Sequence, residues 1–130
     1  MGFGPSLRIK LSAMADTPLL DPESIENLRS LNPGDGGEFL REIIAIYLED
    51  TPLRIAELET SLAAGDVITF TRAAHSVKGS SANLGAMTVR SIAEKLEHQS
   101  HKQGLGDVAP LIAALKVELE NARVELSKLV

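Results

Sequence analysis

Residues 74–86, AHSVKGSSANLGA, carry three side chains whose types and spacing could do chemistry together. Lys78 and Gly79 follow His75 at the third and fourth positions, so in an α-helix all three share one face. A neutral imidazole has a nitrogen lone pair that can attack an electrophile. A lysine neutralises a phosphate as a point charge. A glycine inside a helix costs about 1 kcal/mol of stability relative to alanine. Gly79 therefore predicts a helix surface that another molecule must approach closely.

The residues around this segment do not form an assembled catalytic site. No glycine-rich phosphate loop precedes a helix, and no carboxylate cluster indicates a magnesium site. A nucleophile without machinery of its own is typical of a group carrier. We therefore expect no enzyme activity of the chain alone, no cofactor and no bound metal, with the catalytic parts supplied by a partner.

Capping residues and helix breakers predict the elements that position these side chains. Asp21-Pro22 indicates the start of a short helix that stops at Asn32-Pro33-Gly34. Asp35 with Glu38 resembles a capping box for a second helix, and Pro52 should kink or locally break that helix. The remaining boundaries are predicted at glycines that end helices and aspartates that begin them: Gly65, Asp66, Gly85, Gly104 and Asp107.

The third predicted helix carries the candidate site. Its core stripe recurs at spacings of three and four: Val67, Phe70, Ala74, Val77, Ser81 and Leu84. His75 follows Ala74 and so lies about 100° round from the stripe, at the edge or on the surface. Because the connections are short, neighbouring helices should pack antiparallel. The sequence therefore predicts an all-α fold, an antiparallel four-helix bundle with a short additional N-terminal helix.

Length and composition set the broad class of the protein. The 130 residues suit one domain, which we place at residues 18–130, with residues 1–17 as a disordered tail, a linker or a cloning remnant. The net charge of −5 and four aromatic residues disfavour nucleic-acid binding. No apolar run approaches the roughly 20 residues of a membrane span. The chain has no cysteine, which fits a reducing compartment, and we expect a cytoplasmic monomer.

The segment resembles the signature of histidine-containing phosphotransfer (HPt) domains, which act in multistep two-component phosphorelays. The signature is a histidine, two residues, Lys-Gly-Ser followed by Ser or Ala, and then Leu-Gly-Ala or a similar sequence. It is matched by His75, Lys78, Gly79, Ser80, Leu84 and Gly85. Phe39-Leu40, Tyr47-Leu48-Glu49, Gly65-Asp66 and Leu96-Glu97 are also similar to the family. The resemblance covers about residues 18–130.

The resemblance implies functions for several residues in and near the segment. His75 would accept a phosphoryl group, usually on Nε2, from an aspartyl phosphate of a receiver domain, and pass it to another receiver. Lys78 would stabilise the phosphate. The expected partner-binding residues are Gly79, Ser80, Arg72 and Ala82. The implied partners are receiver domains of response regulators or of a hybrid sensor histidine kinase, with no nucleic acid and no membrane insertion.

Two alternative functions stay open at this point. The chain could be the phosphoacceptor module of a larger hybrid or chemotaxis-type histidine kinase, or a helical adaptor that is not phosphorylated. His98 and His101 could share a metal, but a polar helix end without a carboxylate at ligand spacing is the more ordinary interpretation. Glu97 or His101 could lie near the phosphate, where a glutamate would be an unusual neighbour.

Overall fold

A computed structural model describes residues 17–32 and 34–130 of the chain. The described part contains five α-helices: α1 Pro22–Ser30, α2 Glu38–Ala64, α3 Val67–Leu84, α4 Met87–Gln103 and α5 Ala109–Ser127. Within these ranges, β pairing is limited to an isolated bridge between Leu20 and Ala86. Residues 1–16 of the predicted tail, and Pro33 of the predicted breaker, lie outside the described residues.

The four longer helices form the bundle, and α1 closes one end of it. Asp21 caps α1 by accepting a hydrogen bond from the Glu23 backbone N–H. The backbone N–H of Asp21 donates to the Gly85 carbonyl oxygen at 2.8 Å, which ties α1 to the turn between α3 and α4. Gly85 has φ +85°, and a Cβ there would lie 2.7 Å from the Ser24 Cβ. Only glycine fits this turn, because both the backbone conformation and the close approach exclude a side chain.

The core lies between the apolar faces of α2, α3, α4 and α5. Its largest fully buried side chains on the four helices include Leu40, Leu58, Phe70, Leu84, Ile92, Leu96, Leu115 and Leu126. Gly65 ends α2 in the left-handed conformation, and Asp66 caps α3 by accepting from the Thr69 N–H.

The predicted all-α bundle with a short additional N-terminal helix is confirmed. No helix of the described residues is long and apolar enough to cross a membrane.

Pro52 does not break α2, contrary to one of the two predicted outcomes. The helix runs without interruption from Glu38 to Ala64 with Pro52 inside it. Proline removes one helical hydrogen bond at this point, but the flanking turns are anchored in the core by buried Tyr47 and Ile55. Burial of the two flanks therefore outweighs the lost hydrogen bond, and α2 continues through the proline.

Two predicted caps and one predicted core residue are wrong. Asp35 and Glu38 do not form a capping box: Gly37 is the N-cap of α2, and the Asp35 carboxylate accepts from the N–H groups of Gly37 and Phe39. Asp107 does not cap α5, whose N-cap is Val108, because the fully buried Val108 side chain fixes where the chain enters the core. Val67 is 38 % exposed, since the first turn of α3 lies at the margin of the core stripe.

Candidate functional site

His75 lies on the solvent-facing side of α3, next to the fully buried Ala74. Its side chain is 66 % exposed, as the one-residue offset from the core stripe predicts. The Nδ1 atom lies 2.6 Å from Oε2 of Glu97 on α4. An ionised carboxylate only accepts hydrogen bonds, so Nδ1 carries the proton in this pair. The lone pair of the neutral ring is therefore on Nε2.

Glu97 joins His75 to Lys78. Its second oxygen, Oε1, lies 2.6 Å from Nζ of Lys78, and its side chain is only 22 % exposed. Partial burial acts to raise the pKa of Glu97, but hydrogen bonds from Lys78 and His75 outweigh it and hold the pKa below its usual value of 4.5. One carboxylate thus receives both the imidazole and the ammonium group of the predicted site. Sequence analysis had left the role of this glutamate open.

The lowered pKa of Glu97 predicts the pH range over which this cluster persists. The carboxyl group ionises below 4.5 in the folded protein and near 4.5 in the unfolded chain. Its contribution to stability is therefore complete above the unfolded-state pKa and is lost as the pH falls through the folded-state pKa. In a ¹³C NMR titration, the Glu97 carboxyl should have its midpoint below 4.5. A midpoint at or above that value would contradict the described pairing.

Gly79 is exposed on the same side of α3 as His75. A Cβ added at Gly79 would meet no atom within 4 Å, so no contact among residues 17–32 and 34–130 requires a glycine there. Ala82 is exposed as well, and Ser80 is half-buried with its hydroxyl donating to the Val77 carbonyl. Val77 itself is fully buried and contributes no surface to a partner. The small residues therefore leave a thin stretch of helix surface beside the imidazole.

A groove between α3 and α4 begins at His75 and runs toward the start of α3. Its volume is about 390 Å³, and its lining comprises Val67, Ile68, Thr71, Arg72, His75, Glu97 and His101. The structure thus places Arg72, a predicted partner-binding residue, beside the imidazole. Ile68 is 71 % exposed at the far end, an apolar residue that sequence analysis did not single out. The sequence does contain a sign of this placement, because Ile68 lies seven residues before His75 and residues at that spacing share a helix face.

A pair of hydroxyl groups crosses from α3 to α4 one turn away from the imidazole. Oγ1 of Thr71 lies 2.7 Å from Oγ of Ser100, and the Ser100 hydroxyl donates to the Glu97 carbonyl oxygen at 3.1 Å. Sequence analysis did not identify this pair. Neither residue type is unusual in a helix, and a sequence does not show which turns of two helices face each other.

His98 and His101 do not face a common site. His101 lines the groove beside His75, whereas His98 lines a separate surface depression together with Lys95 and Asp107. In residues 17–32 and 34–130, no three histidine or carboxylate side chains are placed so that they could hold a metal ion. The described residues therefore offer His75, and not the His98–His101 pair, as the centre of chemistry.

Comparison with known proteins identifies the family of the chain that carries this site. The model of the Hpt domain matches residues 42–125, which include the whole His75–Glu97–Lys78 cluster. The chain belongs to the Hpt domain family. Multistep phosphorelay regulator 1 of Schizosaccharomyces pombe is 31 % identical over 83 residues, 64 % of this chain. The chain spans only 28 % of the length of that relative.

Solved structures show the same HPt fold. The chain superimposes on histidine-containing phosphotransfer protein B of Pseudomonas aeruginosa with a TM-score of 0.78 and 25 % identity, covering 87 % of this chain and 95 % of that one. The maize histidine-containing phosphotransfer protein ZmHP2 gives a TM-score of 0.74 and 24 % identity, with 95 % of each chain covered. The predicted membership of the histidine-containing phosphotransfer family is confirmed.

Proposed function

We propose that His75 carries a phosphoryl group between aspartates of receiver domains, as a carrier that does not catalyse the transfer alone. The observation that carries the proposal is the orientation of the imidazole. Glu97 holds Nδ1 at 2.6 Å, so the second ring nitrogen of a side chain that is 66 % exposed has the lone pair. A nucleophile with this exposure is accessible to a phosphoryl group that is bound to another protein.

The proposed transfer balances without movement of a proton. The Nε2 lone pair of His75 attacks the phosphorus of an aspartyl phosphate, a nitrogen–phosphorus bond forms, and the phosphorus–oxygen bond to the aspartate breaks. The aspartate leaves as a carboxylate, and the ring, which keeps its Nδ1 proton, becomes cationic. The Glu97 carboxylate already faces that proton and stabilises the positive charge. Mg²⁺ and the other groups that stabilise the transferring phosphoryl come from the receiver domain.

Lys78 is positioned to serve two anions in turn. In the unphosphorylated protein the Lys78 ammonium group contacts Glu97. This contact uses one of the three N–H donors of the lysine. The remaining donors are available to phosphate oxygens when the phosphoryl group arrives on the same helix face. We therefore assign Lys78 to stabilisation of the phosphate, as the sequence predicted, with Glu97 as its partner in the unphosphorylated protein.

We assign the surface around His75 to docking of the receiver domain. Gly79, Ser80 and Ala82 supply a surface with little side-chain bulk on one side of the imidazole. Arg72 and Ile68 supply a charge and an apolar contact on the other side. Close approach is needed because the aspartyl phosphate must come within bonding distance of Nε2.

The charge of the two site helices favours an acidic partner. Together α3 and α4 carry five basic and two acidic residues, a net charge of +3 on a chain whose net charge is −5. The basic residues are Arg72, Lys78, Arg90, Lys95 and Lys102, and the acidic ones are Glu94 and Glu97. The rest of the chain therefore carries −8. Such polarity steers a carboxylate-rich surface toward α3 and α4.

The direct test of the function is phosphoryl transfer. The purified protein is mixed with Mg²⁺ and a receiver domain that carries a radiolabelled aspartyl phosphate, and the label is followed. We expect label on this protein that is labile in acid and stable in alkali. A folded protein that stays unlabelled with a panel of receivers would contradict the carrier function and favour the adaptor.

Three further assignments stay predictions. The domain at residues 18–130 is either free-standing or the phosphoacceptor module of a larger hybrid or chemotaxis-type kinase, and the gene context separates these. A cytoplasmic location and a monomeric state are likewise predictions.

The polarity of α3 and α4 predicts that docking depends on salt. Arg72→Glu should lower kcat/KM for transfer from a phosphorylated receiver about 10-fold at low ionic strength, because a charge beside His75 is reversed. The difference should shrink at about 1 M salt, where the Debye length is about 3 Å. Lys128→Glu, an equal reversal at the end of α5, serves as the control and should change kcat/KM little. Equal effects of the two reversals would refute electrostatic docking at α3 and α4.

A further inference from the structure

Besides the Lys78–Glu97 ion pair, two polar links join α3 to α4 on successive turns. On one turn His75 contacts the Glu97 side chain, and one turn earlier on α3 the Thr71 hydroxyl contacts that of Ser100. Because the helices are antiparallel, the second link lies one turn beyond Glu97 on α4. The phosphotransfer step uses only the first link. The second has no role in the chemistry proposed above.

The direction of the hydrogen bonds follows from the number of protons. The Ser100 hydroxyl has one proton and donates it to the Glu97 carbonyl oxygen at 3.1 Å. Thr71 is therefore the donor in the 2.7 Å contact between the two hydroxyls. A continuous chain of hydrogen bonds runs from Thr71 on α3, through Ser100, to the backbone of Glu97. Ser100 is 1 % exposed, so solvent does not compete for its hydrogen bonds.

We propose that Thr71 and Ser100 are positioning residues that hold Glu97 within reach of His75. The proposal rests on the proposed function, since it concerns the same imidazole. A short hydrogen bond such as the 2.6 Å contact between Nδ1 and Oε2 tolerates little sliding of one helix along the other. The Thr71–Ser100 link opposes such sliding at the adjacent turn. It thereby keeps the proton on Nδ1 and the lone pair on Nε2.

A comparable hydroxyl pair elsewhere in the fold separates positioning from simple stabilisation. Oη of Tyr47 on α2 lies 2.8 Å from Oγ of Ser81 on the core side of α3. Tyr47 is 4 % exposed, and burial raises its pKa to about 12 despite hydrogen bonds with Ser81 and Thr51. This pair also links two helices, but it contacts neither His75 nor Glu97. Tyr47→Phe is therefore the matched control.

The test reads the ring nitrogens of His75 directly. The ¹⁵N chemical shifts of the unphosphorylated protein report the fraction of rings protonated on Nδ1, and the phosphoryl-transfer assay reports the rate. Thr71→Val should lower both that fraction and the rate, the rate about threefold to tenfold, the range expected for one hydrogen bond. Thr71→Ser keeps a hydroxyl and should restore both. Tyr47→Phe should lower only the stability to unfolding.

Ser100→Ala provides a second variant that breaks the link from the other helix. It should reproduce the ¹⁵N change, and the double variant with Thr71→Val should be no slower than the slower single variant, because both act on one link. Unchanged ¹⁵N shifts in both single variants would overturn the proposal. If the ¹⁵N shifts change in both single variants but the wild type accepts no phosphoryl group, the proposed function is contradicted and the positioning role is supported.

Discussion

His75→Gln should abolish phosphoryl acceptance, with no label above background after incubation with a phosphorylated receiver. Glutamine has no ring nitrogen with a nucleophilic lone pair, and its side-chain amide does not replace the imidazole in this reaction. The folded structure should be retained, because the His75 side chain is 66 % exposed and contributes nothing to the core. Circular dichroism of both proteins verifies that the helical content is unchanged.

The other two histidines provide matched controls for this substitution. His98→Gln and His101→Gln change the same residue type on the exposed surface of α4. Both variants should still accept the label, with His101→Gln the more affected because His101 lines the groove beside His75. Labelling of His75→Gln, or loss of labelling in His98→Gln alone, would show that the acceptor has been assigned to the wrong residue.

Glu97→Ala should slow phosphoryl acceptance about 10-fold to 100-fold, the range that corresponds to a hydrogen bond with a charged group. Two effects of the substitution oppose each other. Loss of the carboxylate removes the acceptor at 2.6 Å that stabilises the cationic ring, whereas Lys78 is released to meet the phosphate. We expect the first effect to dominate, because the positive charge develops on the ring itself. Single-turnover kinetics with a phosphorylated receiver measure the net result.

Variants on α4 separate the charge of Glu97 from its hydrogen bond. Glu97→Gln keeps an oxygen that can accept from Nδ1 but removes the charge, so its rate should fall between those of wild type and Glu97→Ala. Glu94→Ala removes an exposed glutamate of the same helix, paired with Arg90 at 3.5 Å, and should leave the rate unchanged. A rate for Glu97→Ala equal to or above that of wild type would contradict the proposed role of the carboxylate.

Much of the fold follows from local sequence signals. Gly65, Asp66 and Gly85 mark helix boundaries where the structure has them, because left-handed glycines and side-chain caps act over three or four residues. Asp107 and Val67 show where local signals fail. The burial of Val108 determines where α5 begins. Val67 is exposed because the first turn of α3 lies at the margin of the core. Both depend on the packing of distant segments, which spacing along one helix does not encode.

In the candidate site too, the part carried by one helix could be predicted from the sequence, and the part that depends on helix packing could not. His75, Lys78 and Gly79 lie on one helix, so their shared face follows from the helical repeat alone. Glu97 lies 22 residues after His75 on another helix, and its pairing depends on how α3 and α4 align. The family resemblance had marked Leu96-Glu97 without giving the glutamate a role. Its position between the imidazole and the ammonium group became apparent only from the packed helices.

The central claim, that Nε2 of His75 carries the phosphoryl group, is tested most directly by NMR of the phosphorylated protein. The ¹⁵N-labelled protein is phosphorylated by a receiver domain, and the ³¹P–¹⁵N coupling identifies the nitrogen bonded to phosphorus. The account predicts coupling to Nε2 of His75, with the proton still on the Nδ1 atom that faces Glu97. Phosphorus bonded to Nδ1 of His75, or to any other residue, would contradict it.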